Sequence, residues 1–203
     1  MRGRIAEVLW LSIFFGVFVW SAIDPRERFT WFLEVLPAIV GFAVLLLTRR
    51  RFPLTPLLYW LILAHMVVLM VGGHYTYAEV PFFDRLFGSE RNNYDKLGHL
   101  FQGFVPAMIA REILIRKRVV PSRGWRNFFI LCFVLALSAF YELIEWWVAL
   151  ASGAAADAFL GMQGDLWDTQ SDMLFALAGG AAALLLLGRI HDRALRRAGF
   201  SGP

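Results

Sequence analysis

Five side chains hold the chemistry this sequence can offer: Asp95, His99, Glu142, Glu145 and Asp172. Glu142 and Glu145 stand three apart, and Asp95 and His99 four apart, so each pair shares a face if its segment is helical. Asp172 follows Asp168 by one helical turn, with Asp165 just before them. Four carboxylates and one imidazole form a hard, oxygen-rich ligand set. It suits a divalent Zn, Mn, Fe or Mg ion rather than a soft metal. These spacings are the ones by which bundle helices present ligands to a shared core. The sequence has no His-Glu-x-x-His, and Asp165 to Asp172 lacks the central glycine and terminal glutamate of a calcium loop. Without a metal, carboxylates so gathered repel one another and some keep protons, which suits general acid–base work or a proton relay.

The elements that must position these residues are membrane spans. Of 203 residues, 59% are hydrophobic and 18% charged, against roughly 45–50% and about a quarter in soluble domains. The apolar residues lie in blocks, which predict six transmembrane helices at about 5–23, 30–48, 54–72, 95–115, 127–150 and 168–189. The expected fold is all-α: a single polytopic helical bundle over residues 1–203, with no room for a separate soluble domain. Arg2 and Arg4 before an apolar run resemble a leader, but the run continues from Ile5 to about Ala22 and predicts a retained first helix. Cys132 is the single cysteine, which excludes an intrachain disulfide and a cysteine zinc site. The net charge of +4 comes from basic residues at span ends, so it speaks of membrane orientation and not of nucleic acid.

With the N-terminus placed in the cytoplasm, fifteen of the twenty basic residues fall on the inner side and five on the outer. The positive-inside rule then predicts both termini cytoplasmic. Trp20, Trp31, Trp146 and Trp147 come near the outer interface, and Trp60 and Trp125 near the inner one. In this orientation Asp95, His99, Glu142, Glu145 and Asp172 all fall in the outer part of the bilayer, with Glu34 and His65. Ionisable groups in spans are costly, so the clustering implies one polar cavity open to the outer side. Taken singly, Glu34 is explained by snorkelling, His65 by a bond to a neighbouring helix, and Asp168 by helix capping. Arg111 and Glu112 are expected at the inner interface, without a catalytic role. The 73–93 segment carries Phe82, Phe83, Leu86 and Phe87 at helical spacing beside Asp84 and Arg85, consistent with a short interfacial helix or a plain loop. Gly179 and Gly180 predict close helix packing.

The runs Tyr94-Asp95-Lys96-Leu97-Gly98-His99, Phe140-Tyr141-Glu142-Leu143-Ile144-Glu145-Trp146-Trp147 and Gln163 through Met173 resemble the YjdF family of bacterial inner-membrane proteins. So do Arg51-Phe52-Pro53-Leu54-Thr55-Pro56 and Gly72-Gly73-His74-Tyr75-Thr76-Tyr77. The resemblance covers nearly the whole chain. It implies location in the bacterial inner membrane and the topology, but no reaction. A weaker likeness to VanZ-like membrane proteins covers the last three helices. It matches Asp95, Lys96, His99, Glu142, Asp172 and Gly179, and departs at Glu145 and Ala176.

The expected function is an outer-leaflet hydrolase or transferase acting on a lipid or lipid-linked envelope substrate. It would use a metal or acid–base site at Asp95, His99, Glu142, Glu145 and Asp172, with His74, Tyr75, Asp165 and Asp168 at its entrance. Two alternatives stand beside it. A small proton-coupled transporter needs the same buried carboxylates and a route to the inner side. A non-catalytic envelope or assembly protein would use them as an interhelical hydrogen-bond network.

Overall fold

The computed structural model describes residues 2–83, 91–153, 159 and 163–200. Six long helices run through them: α1 Arg2–Ala22, α2 Arg28–Thr48, α3 Pro56–His74, α4 Tyr94–Arg116, α5 Arg123–Ser152 and α6 Asp168–Arg197. Asp24-Pro25 lies between α1 and α2, and Pro56 occupies the first turn of α3, where its missing N–H has no role. Glu27 caps α2, accepting from the N–H groups of Phe29 (2.9 Å) and Thr30 (2.5 Å). The expected spans match these helices, except that α5 and α6 are longer. α6 continues two turns past Arg189, because its polar tail still has a face to bury: His191 and Leu195 are fully enclosed. The short interfacial helix expected around Phe82–Phe87 cannot be followed. Phe82 and Phe83 lie in a turn, while Asp84, Arg85, Leu86 and Phe87 are outside the described residues.

Five of the six helices, all but α4, are long and apolar enough to cross a membrane. α4 is more polar because it carries Asp95, Lys96, His99, Arg111, Glu112 and Arg116. Its 23 residues span about 35 Å at 1.5 Å per residue, enough for a hydrocarbon core of about 30 Å. Its neighbours make this tolerable. α4 packs against α3, α5 and α6, and its Lys96, His99, Arg111 and Glu112 are all buried. Large apolar side chains on α1, α2, α5 and α6 face outward, as expected where lipid is the solvent.

The tightest pairing is α4 against α6. A Cβ on Gly103 would collide with the backbone of Ala176, and one on Gly179 with the carbonyl of Leu100. The two backbones therefore touch directly, as small residues at membrane helix interfaces allow. Gly180, the next residue, meets Val134 and Leu131 of α5. The adjacent glycines serve two different neighbours. On the other side, Phe14 of α1 stacks on Phe42 of α2 at 4.5 Å. Trp10, Val35, Ile62, Met66 and Val105 complete an apolar core across α1 to α4.

Candidate functional site

Three helices converge on His99. α4 supplies Asp95, Lys96 and His99, α5 supplies Glu142 and Glu145, and α6 supplies Asp168 and Asp172. The Gly103/Gly179 seam holds α4 and α6 close enough for their first turns to share charges. His99 Nε2 lies 3.4 Å from Asp95 Oδ1 and 3.7 Å from Asp172 Oδ2. Its Nδ1 lies 3.0 Å from Gln102 Oε1 and 3.9 Å from Glu142 Oε1. Oxygens thus face both ring nitrogens. A neutral imidazole has one N–H, so its other nitrogen needs a donor: the Gln102 amide turned to present its NH2, or a cation, proton or metal.

The other four residues expected at the site surround this one imidazole, as two triads sharing it. Ligand atoms of Asp95, His99 and Asp172 lie within 4.8 Å of one another, as do those of His99, Glu142 and Glu145. The triads differ in their surroundings. Lys96 Nζ bonds Asp172 Oδ1 and Asp168 Oδ1, both at 2.7 Å, and stands 3.7 Å from Asp95 Oδ2. Arg91 bonds Asp95 and Asp165, each at 3.2 Å, and also Asp168. The first triad is thus already balanced by permanent cations. Among the described residues, none of the ion pairs of the second triad involves a lysine or arginine, and Glu142 Oε1 is buried with no hydrogen-bond donor. A divalent ion fits the donor set of the second triad better. Asp95 would then face the ring nitrogen away from the ion, the usual carboxylate–histidine–metal relation.

A cavity of about 180 Å³ opens beside these groups. It is lined by Asp95, His99, Gln102, Glu145 and Asp172, and also by Glu34, His65, Tyr77 and Tyr141. Pro37 of α2 and Pro106 of α4 also line it, and each leaves a carbonyl four residues earlier without its helical N–H.

The entrance residues divide. Asp165 and Asp168 join the Arg91 knot, and Asp168 is 5% exposed. His74 and Tyr75 turn instead toward α1. His74 Nδ1 meets the Ser21 carbonyl at 3.1 Å, and its ring packs on Trp20 and Tyr75, each at 4.5 Å. The residue of this loop that lines the cavity is Tyr77. Thr76 and Tyr77 both have left-handed backbones, with φ of 55° and 57°. The Tyr77 ring fills the space where Gly72 and Gly98 have no side chain; a Cβ at Gly98 would lie 2.8 Å from it. Non-glycine residues in this conformation are uncommon and gather at functional sites.

Glu34 does not snorkel. It is 6% exposed and receives the Tyr141 hydroxyl at 3.4 Å. His65 does not bond a neighbouring helix, since its buried Nε2 has no partner. The Arg111–Glu112 pair, one turn from the end of α4, is enclosed by neighbouring helices. Glu112 is fully buried and accepts from Thr55 N, Thr55 Oγ1, Arg116 and His191. Arg111 bonds His191 and Asp192.

Sequence reasoning missed Lys96 and Arg91 as site residues because it counted them only as topological charges. The available signal for Lys96 was a lysine in the first turn of a span, which needs a partner.

Comparison with known proteins places this geometry in a family. Residues 6–193 match the family described as "Predicted membrane protein (DUF2238)". The inner membrane protein YjdF of Escherichia coli (strain K12) is 53% identical over 187 residues, covering 91% of this chain and 90% of that protein. No solved structure matches the chain. Both matches span the helices that build the cavity, and the chain belongs to this family of membrane proteins, alongside YjdF.

Proposed function

We propose that the protein is a multi-pass inner-membrane enzyme with both termini in the cytoplasm. Its polar cavity would face the outer leaflet, and it would act as a hydrolase or transferase on a lipid or lipid-linked substrate. The observation that carries this reading is Glu142 Oε1, a buried carboxylate oxygen without a donor, 3.9 Å from His99 Nδ1. An oxygen left so is the mark of a ligand or proton carrier rather than of a packing network. A divalent ion held by His99, Glu142 and Glu145 would supply an activated water and polarise a phosphoryl or acyl oxygen. The chain's own groups then have separate tasks. Asp95 orients His99, and Lys96 keeps Asp172 an acceptor, so that Asp172 Oδ2 can take a proton beside the imidazole. Fifteen of the twenty basic residues on the side of the termini support the orientation.

A transporter needs a continuation toward the termini. There the Glu112–His191 network closes the bundle with short bonds, so the enzyme reading is preferred. The test is metal content by mass spectrometry on detergent-purified protein, with folded His99→Ala and Glu142→Gln variants alongside. Near-stoichiometric metal in the parent and loss in both variants are expected. No metal after gentle purification and add-back would overturn the metal-dependent form of the proposal.

A further inference from the structure

The cavity wall also holds a group of side chains that the proposed metal site does not use: Glu34, Tyr77, Tyr141 and His65. Glu34 is buried, and its hydrogen-bond partners are phenols, Tyr141 at 3.4 Å and Tyr77 nearby. The fixed cations of this end, Lys96 and Arg91, are engaged by Asp95, Asp165, Asp168 and Asp172. Independently of these carboxylates, His65 Nε2 is buried without a partner in the same cavity wall.

We infer that this group of residues forms a subsite for a primary ammonium group, carried on the headgroup of a lipid. The inference rests on the reading of the cavity as a lipid-substrate site and names the headgroup chemistry. An ammonium group has three N–H donors and no acceptor. These residues offer the Glu34 carboxylate, the two phenol oxygens and an imidazole nitrogen, and among the described residues no lysine or arginine lines the cavity. Tyr77, Tyr141 and Phe159 also line it, and aromatic rings attract a cation over their faces. The carboxylates around the cavity disfavour an anionic headgroup by the same electrostatics. The sequence works to put Tyr77 here, with two consecutive left-handed residues and glycine gaps on α3 and α4 to admit the ring.

The test uses the full chain in detergent, read by native mass spectrometry. Short-chain phosphatidylethanolamine and phosphatidylglycerol are titrated separately, with free ethanolamine as a third arm. Metal content is measured on the same samples. The ethanolamine headgroup is expected to bind about tenfold more tightly than the glycerol headgroup. That ratio is expected to fall to near one in Glu34→Gln, and to fall in part in Tyr141→Phe. Binding of free ethanolamine that is lost in Glu34→Gln supports the ammonium subsite and assigns its source to the aqueous phase. Equal binding of both lipids with no binding of free ethanolamine overturns the inference, as does a preference that survives Glu34→Gln. A preference found in metal-free protein leaves the ammonium subsite standing and removes only the metal.

Discussion

At the termini end of α4, Glu112 accepts four hydrogen bonds, all at 3.0 Å or less, from Thr55 N, Thr55 Oγ1, Arg116 and His191. At the other end of the same helix, His99 meets its carboxylates at 3.4 to 3.9 Å, and Glu142 Oε1 meets no donor. Both regions are buried, and both join α4 to α6 through charged groups. In the first, both Glu112 oxygens and both His191 nitrogens are bonded: a guanidinium can only donate, so His191 Nδ1 accepts from Arg111 and its Nε2–H serves Glu112. Arg116 closes it, bonding the Pro53 carbonyl at 2.6 Å and lying over the Phe52 and Phe200 rings. Bonded carboxylate oxygens rigidify a buried network, whereas a buried oxygen without a donor is costly. The two ends of one helix thus differ in how fully their buried carboxylates are bonded.

Four substitutions sharpen or break that contrast. Glu112→Ala strands Arg116, His191 and the Thr55 N–H in the interior. It is expected to destabilise by about 3–5 kcal/mol, measured by denaturant unfolding in detergent micelles. Gly103→Ala forces a methyl against the Ala176 backbone in the seam between the two regions. A loss of about 1–3 kcal/mol is expected, together with weaker metal retention as α6 shifts; unchanged retention would show that the site tolerates the displacement.

Glu27→Ala removes the cap of α2, the helix that carries Glu34, and is expected to cost about 1 kcal/mol. Burial works to raise the Glu27 carboxyl, but the N–H groups of Thr30 and Phe29 overcome it and hold the group below the ordinary glutamate value of 4.5. A depressed folded value means that this stabilisation is present above pH 4.5 and lost as pH falls through the folded value. Amide exchange at residues 28–30, compared across that range, should show the helix end loosening on the acid side. In metal-free protein, Glu142→Gln should leave stability within about 0.5 kcal/mol, since Glu142 Oε1 has no donor to lose. A large loss there would erase the distinction between the two ends.

The apolar blocks made the helices legible, because hydrocarbon demands length and hydropathy alone. Depth alone brought Asp95, His99, Glu142, Glu145 and Asp172 near one another on paper, and α4, α5 and α6 carry them to one imidazole. Less of the polar detail could be read. Glu112 looks interfacial by its distance along the chain, yet it is buried because α6 runs on as a helix to Arg197 and brings His191 to it. Hydropathy stops near Arg189 and cannot see that continuation. Tyr77 belongs to a loop, and only the glycine gaps that admit its ring reveal its direction. The glycines were visible in the sequence; what they made room for was not.

The polarity of α4 also bears on how the protein is made. Five helices have the hydropathy to enter a bilayer unaided, whereas α4 does not. Its buried charges find their counterparts on α6, which is synthesised after α5 and its following loop. Biogenesis is therefore expected to proceed with α4 provisional, held at the translocon or the interface until α6 emerges and the Gly103/Gly179 seam can close. A chain ended at Gly153 should leave a cysteine placed mid-α4 open to water-soluble labelling, while the full chain should protect it. Protection in both would mean that α4 enters alone. Labelling in the truncated chain alone would make membrane insertion and tertiary assembly a single event.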